Sequence, residues 1–370
     1  MSAPKLAVLT TLTFLAALPA RAEVSAAPAT ETNRDELIRV QRLESLLQLE
    51  NLQAQFGYYL DKGDWKKAAL LFTSSATYEW GQGGVYRGRD HIRRALTLFG
   101  PEGLRTGQLN NFMMLQPIVT VSNDNRTAKA RWRSVLELSD AGKGRWGEGT
   151  YENEYVRESD GWRISKLHFY VTILDRYEDG PIKGAEPLPG PSTVVPPDSA
   201  PTVVYRPMPE GYFPRYHFPN PGEPVLAFDR PASVVPHAGS ASQGVSAKLD
   251  RLEAEAAIER VERAYGYYVD KNQHREISKL FSKDGTLEIG GRGVFVGPDR
   301  IFEYFDKGLG GDGFKPGGMP NHMQLQPIVT VRADGQTAKA RWSAFVMAAN
   351  AIDGHAVWGD VSYENEYVKE

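Results

Sequence analysis

The stretch FGYYLDKGDWKKAALLF at residues 56–72 is repeated as YGYYVDKNQHREISKLF at 265–281. Two more blocks repeat in the same order, LQPIVTV…TAKARW at 115–132 and 325–342, and YENEYV at 151–156 and 363–368. The spacing between matching blocks drifts only from 209 to 210 to 212 residues. A repeat of this length indicates that one domain has been duplicated, with small loop insertions.

Length and composition agree with two globular domains. The chain has 370 residues, of which 41% are hydrophobic and 24% are charged, as is usual for globular proteins. The net charge is −3 and like charges do not cluster, so neither nucleic acid nor an anionic membrane is the expected partner. The sequence has no cysteine, which excludes disulfides, thiol nucleophiles and thiolate metal sites.

Residues 1–22 differ in character from the rest of the chain. Lys5 precedes the apolar stretch LAVLTTLTFLAALP, and the small-x-small sequence Ala20-Arg21-Ala22 follows it. This order predicts a secretory signal peptide, cleaved before Glu23, and export to the periplasm or out of the cell. The apolar stretch is too short for a bilayer span, so we expect no membrane span after cleavage. An uncleaved anchor is the alternative.

A proline-rich bridge at 178–245 separates domain 1 (35–177) from domain 2 (246–370). Residues 181–236 hold 15 of the 24 prolines, which excludes helix or central strand for most of the bridge. The bridge also carries more aromatic residues than disordered segments usually do. We therefore expect part of it, around 203–229, to lie in extended form against domain 1.

Both domains show the same succession of patterns. Apolar residues at helical spacing end just before Gly63 or Asn272, which suit left-handed helix stops. A short helix capped by Asp64, a glycine-rich hairpin and a third helix follow. Strands are then predicted at 112–121, 127–138, 149–157 and 161–174. The fold class is α+β: two copies of a cone-shaped curved antiparallel sheet wrapped around N-terminal helices, each leaving a cavity for a small molecule.

These elements carry a resemblance to a known family. The stretch YGYYVDKNQHREISKLFSKDGTLEIGGRGVFVGPDRI, residues 265–301, resembles the first half of SnoaL-like domains. TAKARW, Y-x-N-E-Y-V and DGWRI resemble the second half, and the likeness covers about 35–177 and 247–370. SnoaL-like domains belong to the nuclear transport factor 2-like (NTF2-like) superfamily, with ketosteroid isomerase and scytalone dehydratase. The resemblance implies the fold and leaves isomerase, dehydratase, cyclase and binding functions open.

A tyrosine and an aspartate stand three residues apart at the end of each first helix, as Tyr58 and Asp61 and as Tyr267 and Asp270. This spacing puts both side chains on one helix face, and we expect them to point into the cone. In the scytalone dehydratase branch an aspartate at this helix end belongs to the active site, which implies such a role for Asp61 and Asp270. Burial would raise the pKa of such a carboxyl, while tyrosine would stabilise an oxyanion. The alternative is a solvated aspartate beside core tyrosines.

Strand alternation over 322–331 places His322, Gln324, Gln326, Ile328 and Thr330 on one predicted face. Many SnoaL-like domains carry a histidine near the start of this strand, which the resemblance connects with His322. Together with Asp270 it would form an acid–base couple. If the same face points outward, His322 is a surface histidine.

We therefore expect an exported tandem SnoaL-like protein that binds a small apolar or aromatic molecule. Asp270, His322 and Tyr267 are the candidates for cofactor-free lyase or isomerase chemistry. The seven histidines show no metal-ligand spacing, so neither a metal nor another cofactor is predicted. The alternative is a non-catalytic binding or protein-interaction module that uses the duplicated sheets. The two domains are expected to pair as an intramolecular pseudo-dimer, or the protein to form a homodimer.

The two copies differ after their last matching block. Domain 1 continues from YENEYV into the strand predicted at 161–174, whereas the sequence ends at Glu370, before the matching strand of domain 2. An open sheet edge is an unpaired template that folded proteins avoid. We expect either that the sequence is part of a longer protein, or that the bridge or a strand of a second molecule fills the place.

Overall fold

The structure is a computed structural model that describes residues 31–179, 186–223, 242–350 and 355–370. The expected signal peptide at 1–22 lies outside the described residues. Both domains begin with a long helix and continue through short helices and a hairpin into long strands, which confirms the predicted α+β class. No helix in the described part of the chain is long and apolar enough to cross a membrane.

Domain 1 wraps one curved sheet around its helices. The helices are α1 (Glu31–Asp61), α2 (Trp65–Leu70) and α3 (Arg89–Leu96), followed by a 3₁₀ turn (Thr97–Phe99). The strands are β1 (Phe72–Trp80), β2 (Val85–Arg87), β3 (Leu109–Val121), β4 (Thr127–Asp140), β5 (Lys143–Glu158) and β6 (Gly161–Arg176). Their spatial order is β2-β1-β6-β5-β4-β3, antiparallel except for the parallel pair β1 and β6. The predicted strands are confirmed and extend further at their ends.

The predicted helix ends are confirmed by their backbone geometry. Helix α1 ends at Asp61, and Gly63 then adopts a left-handed φ of 63°. Asn272 takes the same role after the first helix of domain 2, with a φ of 51°. Asp64 caps α2, since its side chain accepts a hydrogen bond from the backbone N–H of Lys67 at 3.1 Å. These caps satisfy groups that a helix end leaves unpaired.

Domain 2 repeats the helices and the hairpin, with a smaller sheet. Its helices are α4 (Ser242–Asp270), α5 (His274–Ser278) and α6 (Pro298–Gly308). Its strands are β7 (Thr286–Ile289), β8 (Gly293–Val296), β9 (Gly318–Val331), β10 (Thr337–Asn350) and β11 (His355–Val368). Strands β11, β10 and β9 form one sheet, and β7 pairs with β8. In the described ranges no strand pairs with the outer edge of β11, and the bridge pairs with domain 1 instead, Ser199 with Val85.

A bulge in β9 overturns part of the predicted strand alternation. Gln326 has a φ of 52°, and the pairing with β10 shifts register between Leu325 and Ile328. The extra residue sits beside a proline, which has no N–H for the ladder. Ile328 therefore lies on the face of Leu325 and not on the face of His322. The single predicted face is wrong beyond Gln324.

The two sheets pack against each other through an apolar cluster. Domain 1 contributes Val135, Trp146 and Ile173, domain 2 contributes Met319, Met323 and Met347, and the bridge contributes Met208. Each buried side chain of this size stabilises the contact by about 1.5–3 kcal/mol relative to exposure.

Candidate ligand cavity and acid–base residues

A cavity of about 880 Å³ lies in domain 1 beside the β1–β2 hairpin. Its walls come from the β1–β2 hairpin, α3 and the 3₁₀ turn, the strand ends around 138–145, and the bridge. The residues that form its aromatic and polar lining include Tyr78, Trp80, Tyr86, Phe99, Gln108, Asn110 and Arg145. The volume of this cavity is in the range of small-molecule sites.

Aromatic rings make up much of the cavity wall. Trp80 meets Phe99 edge to face with ring centroids 5.6 Å apart, and Tyr78 lies 6.5 Å from Tyr86. Burial raises the pKa of Tyr78 well above its usual value, so its hydroxyl stays protonated. Asn110 also lines the cavity, and its amide donates to the carbonyl of Leu60 at 3.4 Å. Such walls suit a flat apolar molecule with a few polar groups.

The bridge forms one side of this cavity and is anchored to the hairpin. Residues 189–193 line the cavity. Tyr86 donates its hydroxyl to the carbonyl of Val195 at 2.7 Å. Asp198 accepts the backbone N–H of Arg87 at 2.7 Å and pairs with the His91 ring at 2.5 Å. The cavity is therefore built jointly by domain 1 and the bridge.

The residues predicted for domain 1 lie away from this cavity. Asp61 accepts a hydrogen bond from the backbone N–H of Phe112 at 2.7 Å. Burial raises its pKa, against that hydrogen bond, which lowers it. Tyr58 is 68% exposed and points to solvent, so the expectation that it faces the cone is wrong. The two side chains lie about 60° apart around the helix axis, so that Asp61 can reach the strand while Tyr58 faces solvent.

Asp270 and His322 come together as predicted, but with a partner from the other domain. The carboxylate of Asp270 accepts the backbone N–H of His322 at 2.6 Å and lies 3.1 Å from its Nδ1. Arg133 of domain 1 completes the cluster as a buried ion pair with Asp270. Burial alone would raise the pKa of Asp270, yet Arg133 and the His322 hydrogen bond outweigh it and hold that pKa below its usual value. The expected rise therefore occurs at Asp61 and not at Asp270.

Tyr267 lies at the contact between the domains rather than beside His322. Its hydroxyl donates to the carbonyl of Gln116 in domain 1 at 2.9 Å. The guanidinium of Arg133 lies 5.0 Å from the centre of its ring. The predicted oxyanion role is not supported by this position, because the hydroxyl is already used across the interface.

The interior of domain 2 contains polar residues that the sequence analysis did not single out. Glu262 on α4 accepts hydrogen bonds from Asn365 at 2.8 Å and from Tyr367 at 2.9 Å. Burial raises the pKa of Glu262 to about 7, against those hydrogen bonds, which lower it. Gln324, which follows His322 on the same face, is fully buried. A proton donor or acceptor near neutral pH is thus present in this interior.

Comparison of the two copies would have revealed these residues. Domain 1 has Gln53 where domain 2 has Glu262, and Met114 where domain 2 has Gln324. In domain 1 Gln53 takes the same two hydrogen bonds, from Asn153 at 2.9 Å and from a tyrosine hydroxyl at 3.0 Å. Domain 2 therefore adds an ionisable carboxyl on the helix and an uncharged amide on the strand. Within the described ranges, no group of three or more potential ligands is arranged to hold a metal ion.

The helices enclosed by a curved sheet define the NTF2-like class of α+β domains. A family model for the SnoaL-like domain matches residues 41–168 and again 250–370. The chain belongs to the SnoaL-like domain family, with two copies of the domain. No curated protein matches the sequence.

Solved structures align with part of this chain. A putative scytalone dehydratase from Novosphingobium aromaticivorans is 16% identical over 41% of this chain and 96% of its own, with a TM-score of 0.33. An NTF2-like protein from the same organism is 22% identical over 39% and 92%, with a TM-score of 0.30. A protein from Kribbella flavida is 16% identical over 36% and 93%, with a TM-score of 0.32.

Proposed function

We propose that the protein binds a small, mostly apolar or aromatic molecule in the domain 1 cavity. The observation that carries this proposal is the aromatic-walled chamber of about 880 Å³. Pockets for small molecules usually occupy about 300–1,000 Å³ and combine apolar walls with a few polar groups. The neutral phenol of Tyr78 and the amide of Asn110 supply hydrogen bonds to a hydroxyl or carbonyl of the ligand.

A cavity-filling variant tests this proposal. Leu98 lines the cavity and is 51% exposed, and Leu70 is equally exposed but lies on α2, outside the lining. Hydroxylated aromatics and steroids are screened by thermal shift against the native protein, Leu98→Trp and Leu70→Trp. We expect a ligand that raises the Tm of the native protein and of Leu70→Trp, while Leu98→Trp loses the shift. No shift with any compound, or an equal shift in Leu98→Trp, contradicts the proposal.

A second candidate function, cofactor-free lyase or isomerase chemistry, is favoured by the groups inside domain 2. The Asp270 carboxylate holds the Nδ1 side of His322, which leaves Nε2 to exchange a proton with a ligand. Glu262, with a pKa of about 7, supplies a second group for proton transfer. A ligand with an enolisable carbonyl would lose and regain a proton at the carbon beside that carbonyl.

Deuterium exchange separates catalysis from binding alone. Hydroxylated aromatic ketones are incubated with the protein in D₂O, and incorporation is followed by mass spectrometry. His322→Phe places the domain 1 residue in domain 2, and we expect it to abolish exchange while ligand binding in domain 1 persists. Equal exchange with and without protein would leave the non-catalytic binding or interaction module as the better description.

Export remains part of the proposed function. The basic residue, apolar stretch and small-x-small sequence within residues 1–22 support cleavage before Glu23. N-terminal sequencing of the protein from the periplasmic or culture fraction should begin at Glu23. Recovery of an N-terminus at Met1 from the cytoplasmic fraction alone would contradict export.

A further inference from the structure

Beside the packing of sheet on sheet, the domains also meet through two unlike surfaces. One is the helix surface of domain 2, on the side of α4 that carries Arg263 and Tyr267. The other is the strand surface of domain 1, formed by Gln116, Ile118 and Arg131 on β3 and β4. Tyr267 donates to the Gln116 carbonyl at 2.9 Å, and the Gln116 amide donates to the carbonyl of Arg263 at 2.8 Å. The guanidinium of Arg131 lies 5.3 Å from the centre of the Tyr267 ring.

Because the domain is duplicated, each of these surfaces exists twice, and the second pair is exposed. Tyr267 is 1% exposed, whereas the matching Tyr58 on α1 points into solvent. Ile118 is 1% exposed, whereas the matching Ile328 is 68% exposed. The side chain of Arg131 is 1% exposed and that of its match Arg341 is 62% exposed. The helix surface of domain 1 and the strand surface of domain 2 therefore have no occupant among the described residues.

The exposed surfaces keep the features that make the buried contact. Both strands read LQPIVTV, and the bulged glutamine is left-handed in each, with a φ of 51° at Gln116 and 52° at Gln326. Arg341 pairs with Glu364 at 3.4 Å on neighbouring strands, as Arg131 pairs with its own glutamate. Leu47 and Tyr58 lie three turns apart on one side of α1, and both are exposed. The tyrosine on the helix surface and the bulged strand with its arginine are thus present in both copies.

We propose that the helix surface of domain 1 in one molecule docks on the strand surface of domain 2 in a second copy of this chain. The hydroxyl of Tyr58 then donates to the Gln326 carbonyl of the second molecule, as Tyr267 donates to Gln116 within one chain. A contact between two unlike surfaces is head-to-tail, so it builds open chains or a ring rather than a self-complementary dimer.

Several differences make this contact weaker than the intramolecular one. Ala54 of domain 1 stands where domain 2 has Arg263, whose guanidinium donates to the carbonyl of Pro117 at 3.2 Å. The bridge covers part of the intramolecular contact, where Arg131 donates to the carbonyl of Pro214 at 2.7 Å, and it has no second copy.

Ser343 of domain 2 stands where domain 1 has Arg133, so the buried ion pair with the helix-end aspartate is not reproduced. The linked domains also meet at a high effective concentration, whereas separate molecules do not. The association is therefore expected to be reversible and to depend on protein concentration.

Sedimentation velocity over a wide range of concentration tests the proposal. The native protein should form larger species as its concentration rises. Tyr58→Glu blocks the helix surface and Ile328→Glu blocks the strand surface, and each variant alone should remain monomeric. Both side chains are exposed, so neither change disturbs a packed core. Val194→Glu, at an exposed position of the bridge, is the matched control and should associate like the native protein.

Mixing the two blocked variants gives the decisive result. Tyr58→Glu retains a free strand surface and Ile328→Glu a free helix surface, so their mixture should form a one-to-one dimer that cannot extend. A native protein that stays monomeric at every concentration overturns the proposal. Variants that associate like the native protein, or a mixture that remains monomeric, overturn it equally.

Discussion

The carboxylate of Asp270 in domain 2 forms an ion pair with the guanidinium of Arg133 in domain 1, and both side chains are almost completely buried. The same carboxylate accepts the backbone N–H of His322 at 2.6 Å. One carboxylate therefore connects the end of α4, the start of β9 and the sheet of the other domain. The position of the candidate acid–base histidine depends on the contact between the domains.

Replacing Arg133 by methionine should strongly destabilise the contact between the domains. The change leaves Asp270 as a buried charge without its partner, which costs about 3–5 kcal/mol in typical cases. Urea unfolding measures the loss in the free energy of unfolding. Adding Asp270→Asn to Arg133→Met removes the uncompensated charge and should recover a large part of that loss.

The exposed pair in domain 2 provides the control for this prediction. Arg341→Met breaks the ion pair with Glu364, whose side chains are both largely exposed. Exposed pairs contribute roughly 0–1 kcal/mol, so this variant should unfold almost like the native protein. An equal loss in the free energy of unfolding in both variants would show that the buried ion pair does not stabilise the contact between the domains.

Glu262 should make stability depend on pH near neutrality. Its pKa is raised from 4.5 to about 7 in the folded protein. Between these values the folded state holds more protons than the unfolded state, so the free energy of unfolding falls as pH rises. The stabilising contribution of protonated Glu262 is complete below the unfolded-state pKa of 4.5. It is lost as the pH rises through the folded-state pKa of about 7. The full change corresponds to about 3 kcal/mol.

Exchanging the residue between the two copies isolates this effect. Glu262→Gln gives domain 2 the residue of domain 1 and should remove the pH dependence of the free energy of unfolding. Urea unfolding should show that this variant is more stable than the native protein at pH 8. Gln53→Glu in domain 1 should introduce a similar slope, because Gln53 has the same asparagine and tyrosine partners. If the free energy of unfolding depended on pH equally in Glu262→Gln, the dependence would come from other groups.

The local elements were largely predictable from the sequence because their signals are local. Gly63 and Asn272 stop the first helices through left-handed geometry that their residue types favour, and Asp64 caps the next helix. The Asp270–His322 contact was also anticipated, because the resemblance to SnoaL-like domains connected both residues with one site. These features depend on neighbours within one domain and on a repeat that shows every pattern twice.

The parts that sequence reasoning missed depend on contacts between distant segments. Tyr58 and Tyr267 are the same residue type in matching positions, yet only Tyr267 is covered by the other domain. The lowered pKa of Asp270 comes from Arg133, 137 residues away in the chain. The bridge likewise forms one wall of the domain 1 cavity. Its proline content does not predict where it packs.

Loss of one buried hydroxyl should loosen the bridge from domain 1. Tyr205 accepts the backbone N–H of Val171 at 2.8 Å, inside the core. Tyr205→Phe leaves that N–H without a partner, at a cost of about 1–3 kcal/mol. Limited proteolysis should cleave the bridge faster, and the Tm should fall. Tyr212→Phe is the control, because its ring stacks on Tyr205 but no hydrogen bond of its hydroxyl is present among the described residues.

The glycine near the end of each first helix allows a close approach to the facing strand, and the two sites should differ in tolerance. A Cβ at Gly266 would lie 2.8 Å from the His322 carbonyl oxygen and 2.6 Å from the Gln116 amide nitrogen. Alanine normally stabilises a helix interior by about 1 kcal/mol relative to glycine. Here the clash outweighs that gain, so Gly266→Ala should destabilise the protein by about 1–3 kcal/mol.

The matching variant in α1 separates the clash within one domain from the clash across the interface. A Cβ at Gly57 would lie 3.0 Å from the Phe112 carbonyl oxygen and 3.1 Å from Cγ of Met114, and its three nearest neighbours all belong to domain 1. Gly57→Ala should therefore cost less, since a methionine side chain can shift. Urea unfolding compares the two variants. If Gly266→Ala were as stable as Gly57→Ala, the helix of domain 2 would not be held between its own strand and Gln116 of domain 1.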